Sequence, residues 1–236
     1  MTGAKYDVFA TDYDGTLAHD GRVEDTTLRA LERAREAGIR LLMVTGRELT
    51  DLSNTFPHIA LFDRVVAENG AVLFTPATET SRVIAPPAPP ALVEWLAARN
   101  IPLYVGHSII ATVEPHEHEV LAGIHELGLE WHIIFNKGSV MVLPSGVTKA
   151  TGLAPALEDL QAAAERTVGI GDAENDEAFL SACGLAVAVA NALPAVKEIA
   201  DLVTTGARGA GVTEVLDAMI AGELDAVPIK PKGRSA

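Results

Sequence analysis

Only one cysteine, Cys183, occurs in the 236 residues. No internal disulfide can form, and nothing in the chain depends on an oxidising compartment. Basic side chains are scarce as well: 18 Lys and Arg stand against 32 Asp and Glu, a net charge of −14. Nucleic-acid binding needs clustered cations to neutralise phosphates, and the only such run is the terminal Lys230, Lys232 and Arg234. The same deficit disfavours a bare membrane-surface role. Long apolar runs are missing too, since none approaches the roughly 20 residues that span a bilayer. Met1 to Asp12 carries Lys5, Asp7 and Asp12 and lacks the apolar stretch of about 7–15 residues of a secretory signal. The expected location is the cytoplasm.

Against these absences, 48% of residues are hydrophobic and 21% charged, so the chain has the apolar material for a packed core and is not disordered as a whole. Short apolar runs alternate with segments of helical period, the pattern of βα units around a mainly parallel sheet. Val8–Thr11 reads as the first strand. Thr26–Gly38 follows as a helix with Leu28, Leu31 and Ala34 at three-residue spacing, Asp25 as N-cap and Gly38 in the left-handed position after the last turn. Leu41–Val44 is the second strand and Arg47–Thr55 the second helix. Val65–Ala67 and Val72–Phe74 flank Asn69-Gly70, a strong hairpin signal. Four prolines between Pro86 and Pro90 then mark a linker.

From there to Pro144 the pattern reads helix 91–99, strands 103–105 and 109–113, helix 117–127, and strands 131–135 and 140–143. This αββαββ order predicts a small antiparallel sheet with helices on one face. The βα alternation resumes with a helix from Lys149, strand 167–170, helix 175–182, strand 185–189, helix 192–199, strand 201–203 and helix 212–221. The expected fold is α/β: a doubly wound Rossmann-like core, residues 1–82 and 146–224, interrupted by a small α+β cap, 83–145, and followed by a loose tail, 225–236.

In open α/β sheets ligands bind beyond the carboxyl ends of the strands. Three such ends are rich in polar residues: Asp12-Tyr13-Asp14-Gly15-Thr16-Leu17, Thr45-Gly46-Arg47, and Gly171-Asp172-Ala173-Glu174-Asn175-Asp176. Each alone reads as a helix cap or turn. Together they place Asp12, Asp14, Asp172 and Asp176 at one sheet edge, where two like charges ~4 Å apart repel by ~4 kcal/mol at an effective dielectric near 20. A hard divalent ion offsets that repulsion. Mg²⁺ fits best, because it takes one or two protein carboxylates and leaves positions for water and substrate phosphate. Lys149 adds a second positive charge. A carboxylate can then attack phosphorus, a second carboxylate two positions on can carry the proton, and a hydroxyl can hold the transferring oxygens. Asp12, Asp14 and Thr45 suit these roles.

The first strand end, Thr45-Gly46-Arg47, Lys149 and Gly171-Asp172-x-x-Asn175-Asp176 resemble motifs I to IV of the haloacid dehalogenase-like hydrolase superfamily, in order and spacing. The resemblance implies Asp12 as nucleophile, Asp14 as acid/base with its backbone carbonyl on Mg²⁺, and Lys149 as stabiliser of the charged intermediate. It further implies Thr45, with Gly15, Thr16, Gly46, Arg47 and Asn175, around the phosphate, Asp172 on the metal, and Asn175 and Asp176 as support for the site or its metal waters. The insertion is similar to the type C2 cap of Cof-like phosphatases and their sucrose-phosphate, mannosylphosphoglycerate and archaeal phosphoglycolate phosphatase relatives, in a short version.

Asp14, rather than Ala or Ser, favours phosphate esters over haloacids as substrates. The expectation is a phosphatase for a small phosphorylated metabolite, monomeric or homodimeric, with neither nucleic acid nor membrane as partner. Alternatives are a phosphomutase of the phosphomannomutase type and a catalytically retired binding protein. Arg47 reads either as a substrate contact or as the partner of an acidic neighbour. Asn69 reads as a hairpin residue and Cys183 as a small buried apolar one. Five of the seven histidines lie in the insertion, but His116 and His118 point to different sides of a helix start, which argues against a metal site there. His107 and Lys137, at hairpin tips of the cap, read as exposed turn residues, with a reach into the cleft as the alternative.

Overall fold

The computed structural model describes residues 5–230. Its core is an eight-stranded sheet fed by short apolar runs. In chain order the first elements are β1 (Val8–Thr11), α1 (Asp25–Glu36), β2 (Arg40–Val44), α2 (Leu49–Thr55), β3 (Arg64–Ala67), β4 (Val72–Thr75) and β5 (Thr80–Val83). The insertion contributes α3 (Pro90–Ala97), β6 (Tyr104–Val105), β7 (Ile110–Val113), α4 (Glu117–Glu126), β8 (Trp131–Asn136) and β9 (Ser139–Pro144). The chain then re-enters the core through α5 (Lys149–Asp159), β10 (Thr167–Gly171), α6 (Glu177–Ala182), β11 (Leu185–Ala188), α7 (Pro194–Ile199), β12 (Leu202–Val203) and α8 (Gly209–Ala221).

Strand order in the large sheet is β12-β11-β10-β1-β2-β3-β4-β5, parallel from β12 to β3 and antiparallel at the last two pairings. Every residue of β1, β10 and β11 is buried, as expected of parallel strands covered on both faces, which therefore show no alternation. Among the helices, α1 packs against α8 and α5 against α6. The chain leaves β1 towards β2 on one side and returns to β10 on the other, so the switch point lies between β1 and β10.

The insertion forms the expected αββαββ unit, a four-stranded antiparallel sheet in the order β6-β7-β9-β8. It has a core of its own, in which Leu92, Leu96, Val120 and Ile124 of the helices meet Ile110, Val140 and Val142. The two-residue period of β9 decides its orientation: Val140 and Val142 face the cap helices, while Met141 and Leu143 join the main core.

Most element ends fall within one or two residues of the sequence reading. Glu24, not Asp25, holds the cap position of α1, without a side-chain bond. Gly38 is left-handed as expected, with φ +84°. The second helix starts at Leu49, because the Glu48 side chain accepts from the Asp51 N–H and ends the preceding loop. Asn69-Gly70 does not form a two-residue turn. Ala67 pairs with Val72, leaving Glu68–Ala71 as a loop in which Glu68 and Asn69 are left-handed. Tertiary bonds set that loop: the Glu68 N–H donates to the Arg47 carbonyl and the Asn69 N–H to the Thr45 carbonyl, both at 2.9 Å. The exposed edge strand β5, with one apolar residue, escaped the apolar-run reading. Beyond Asp225 the chain is anchored as far as Lys230, whose N–H donates to Asp201 at 2.7 Å; Leu224, just before, is buried. The loose tail expected over 225–236 is thus tied down at its start, and 231–236 lie outside the described residues.

Candidate active site

Asp12 leaves the end of β1 and Asp172 the end of β10, on either side of the switch point. Lys149, the first residue of α5, is wholly buried and donates to Asp12 Oδ1 at 2.6 Å and to Asp176 Oδ1 at 2.5 Å. Asp12 Oδ2 receives no hydrogen bond among the described residues, and Asp12 lines a cleft of about 650 Å³. Asp176 is further held by the backbone N–H groups of Asp172 and Ala173 at 2.8 and 3.0 Å. Thr16 donates its hydroxyl to Asp172 Oδ1 at 3.1 Å. Gly15 has φ +85°, and a Cβ there would overlap the Asp172 carboxylate, so this position demands glycine on both counts.

Ligand oxygens of Asp12, Asp172 and Asp176 all lie within 4.8 Å of one another. Burial, and then the Asp176 charge, pushes the Asp12 carboxyl well above the usual carboxylate range in spite of Lys149. Burial likewise raises Asp172. Burial alone would lower Lys149, but Asp12 and Asp176 outweigh it and hold the ammonium charged. Three buried carboxylates with one buried lysine form a site short of positive charge. Its all-oxygen donor set suits a hard divalent cation.

The cleft lies between this edge and the cap. Tyr104, Ile109, Lys137 and Met141 of the insertion line it opposite Asp12, Asp14, Gly46 and Arg47. Three contacts seat the cap. The buried Glu68 carboxylate accepts from the N–H groups of His107, Ser108 and Ile109 at 2.9, 2.7 and 3.0 Å, and a Cβ on Gly106 would stand 2.7 Å from it. The Tyr104 hydroxyl, its pKa pushed to about 12 by burial and by the bond itself, donates to Glu48 at 3.1 Å. Lys137 forms an ion pair with Asp172 Oδ2.

A family model for haloacid dehalogenase-like hydrolases matches residues 9–119 and 125–216. The chain belongs to the haloacid dehalogenase-like hydrolase family. It is 33% identical over 217 residues to a phosphoglycolate phosphatase of Methanothermobacter thermautotrophicus, covering 88% of this chain and 96% of that protein. A haloacid dehalogenase-like hydrolase from Bacteroides thetaiotaomicron has the same fold, with TM-score 0.76, 20% identity, and 91% and 100% of the two chains covered. So does a sugar phosphatase of subclass IIB of this superfamily, with TM-score 0.74, 22% identity and coverage of 89% and 98%.

Within this hydrolase the sequence-derived residues divide into two groups. Asp12, Lys149, Asp172 and Asp176 meet in one buried cluster. Asp14 stands apart from it, its carboxylate held by the Arg47 fork at 2.6 and 2.8 Å, while Arg47 also pairs with Asp51 at 2.7 Å. Arg47 thus pairs with acidic neighbours while still lining the cleft. Thr45 is buried, its hydroxyl accepting from the Arg47 N–H at 3.1 Å. The Thr16 hydroxyl, expected at the phosphate, bonds Asp172 in this structure. Asn175 donates to Asn69 at 3.1 Å, so the hairpin asparagine braces the fourth motif.

Lys137 is a turn residue, as expected, and also reaches the cleft, the other reading the sequence offered, whereas the N–H of His107 only caps Glu68. Asn191 was missed. Its side chain donates to the Gly15 carbonyl at 2.8 Å and accepts from the Arg208 N–H at 2.8 Å. As the first strongly polar residue after the β11 run, it answered the same rule that located Asp12 and Asp172.

Proposed function

We propose that this hydrolase is a Mg²⁺-dependent phosphatase that cleaves a small phosphorylated metabolite through an aspartyl-phosphate on Asp12. The observation that carries the reading is the one-sided grip on Asp12: Lys149 holds Oδ1, Oδ2 has no hydrogen-bond partner among the described residues, and Asp12 lines the cleft. Oδ2 attacks phosphorus, the ester P–O bond breaks, and Asp14, protonated and released from the Arg47 fork, protonates the departing oxygen. Water, giving its proton to Asp14, then cleaves the acyl phosphate, releasing phosphate and restoring Asp12.

Asp12 and Asp172, with the Asp14 backbone carbonyl by family resemblance, would hold the Mg²⁺. When bound it supplies the charge neutralisation that lets a carboxylate approach a phosphate dianion. Thr45 and the backbone at Gly46 border the transferring oxygens on the β2 side, and the cap excludes water. The names of the relatives, a phosphoglycolate phosphatase and a sugar phosphatase, agree with a small phosphorylated substrate.

Turnover of an aryl phosphate with Mg²⁺ tests the reading. Asp12→Asn is expected to lose roughly 10⁴-fold or more in kcat, and retention of the parent's rate would remove Asp12 from the nucleophile's role.

A further inference from the structure

We infer that Lys137 and Arg208 form an anion subsite that binds a second acidic group of the substrate, beside the transferring phosphoryl group. The inference rests on the phosphatase reading and narrows it to phosphate monoesters bearing another anion, a carboxylate or a second phosphate.

Three cations line the cleft: Arg47, Lys137 and Arg208. Arg47 is already balanced by Asp14 and Asp51. The Arg208 guanidinium has no hydrogen-bond or ion-pair partner among the described residues. Its backbone, at φ +51° and ψ −134°, sits in a region that glycine favours, and its N–H is fastened to Asn191. The same Asn191 side chain reaches Asp172 Oδ2 at 3.4 Å, so Arg208 leaves the chain at the Asp172 wall.

Lys137 arrives at that wall from the cap. With Gly138 it makes the two-residue turn between β8 and β9, since Asn136 pairs with Ser139, and both turn residues have positive φ, +47° and +87°. Asn or Asp is the low-strain choice at the first of these positions, so a lysine there carries a backbone cost. Its ammonium now contacts Asp172. With Asp172 committed to a divalent cation, like-charge repulsion would leave the Lys137 ammonium available to another anion. Gly46 lines the cleft from the β2 side, whereas Lys137 meets Asp172 and the Arg208 backbone is tied to Asn191 on the β10 side, which is where a second anion would lie.

The test compares phosphoglycolate and a short alkyl bisphosphate with phenyl phosphate, which has no second anion. The parent is expected to prefer one of the doubly anionic substrates. Lys137→Met and Arg208→Met should each reduce that preference roughly tenfold or more, the worth of one charge-assisted hydrogen bond, chiefly through KM, while Lys137→Arg keeps it. Malonate should inhibit phenyl phosphate hydrolysis less in both Met variants than in the parent. A parent active on phenyl phosphate but without preference, or variants that lose all three substrates in proportion, would overturn the subsite and leave the phosphatase standing. A parent that releases phosphate from none of the three would overturn both.

Discussion

Lys149 is the residue on which the site's electrostatics turn. Its buried ammonium touches two carboxylates, and neither has another cation within hydrogen-bond reach among the described residues. Lys149→Met therefore leaves Asp12 and Asp176 uncompensated, and we expect a loss of about 3–5 kcal/mol of stability in urea denaturation. Lys149→Met combined with Asp12→Asn should cost less than the sum of the two, because removing either partner already breaks the pair. Gly15→Ala is expected to lower both stability, by about 1–3 kcal/mol, and Mg²⁺ affinity, measured by calorimetry, because its methyl would occupy the space of the Asp172 carboxylate. At this scale the sequence was most legible for carboxylates at strand ends, where chemistry and position coincide. It was least legible for Lys137 and Arg208, since a turn lysine and a loop arginine look the same whether they face solvent or a cleft. Nothing local indicates that Thr16 would turn to Asp172 rather than to a phosphate.

Elements were legible in proportion to their burial. The strands β1, β10 and β11 stand out as unbroken apolar runs because both faces are covered, while β5, wholly exposed, shows only as an edge paired to β4. The Glu68–Ala71 loop misled for a complementary reason: its conformation answers to Thr45 and Arg47 rather than to Asn-Gly turn chemistry. Glu68 in turn fixes where the β6–β7 turn of the cap sits. Glu68→Gln keeps the shape but removes the charge from an acceptor of three N–H bonds; we expect about 1–3 kcal/mol lower stability and a raised KM with kcat less affected. The cap also carries a pH dependence. Burial lowers the pKa of His132 on β8 below its usual 6.5. The folded cap therefore binds fewer protons than the unfolded chain just under that value, so stability is complete above pH 6.5 and declines as pH falls below it. Protection factors of β8 and β9 amides, corrected for intrinsic exchange, should fall in that window in the parent but not in His132→Gln.

For the whole molecule, a cation bound at the charge-deficient switch point as proposed would couple metal binding to folding. Mg²⁺ at about a hundred times its dissociation constant adds about 2.7 kcal/mol, which corresponds to roughly 5–10 °C in Tm for a chain of this size. Asp172→Ala should abolish that rise, and an unshifted Tm in the parent would argue that the carboxylate cluster binds no cation. The architecture was readable as a whole because the interruption of βα texture at Pro86–Pro90 and its return at Lys149 bracket the insertion. How the two layers face each other depended on Met141 and Leu143 sharing a strand with Val140 and Val142, a distinction that an all-apolar run conceals.

Thr16 and Asp172, bonded across the site, are 156 residues apart in the chain. During synthesis Asp12 emerges before the cap, and Lys149 and Asp172 after it. On the proposed reading, Asp12 stays inert in a growing chain until β10 has slotted in beside β1 and brought Asp172 to it.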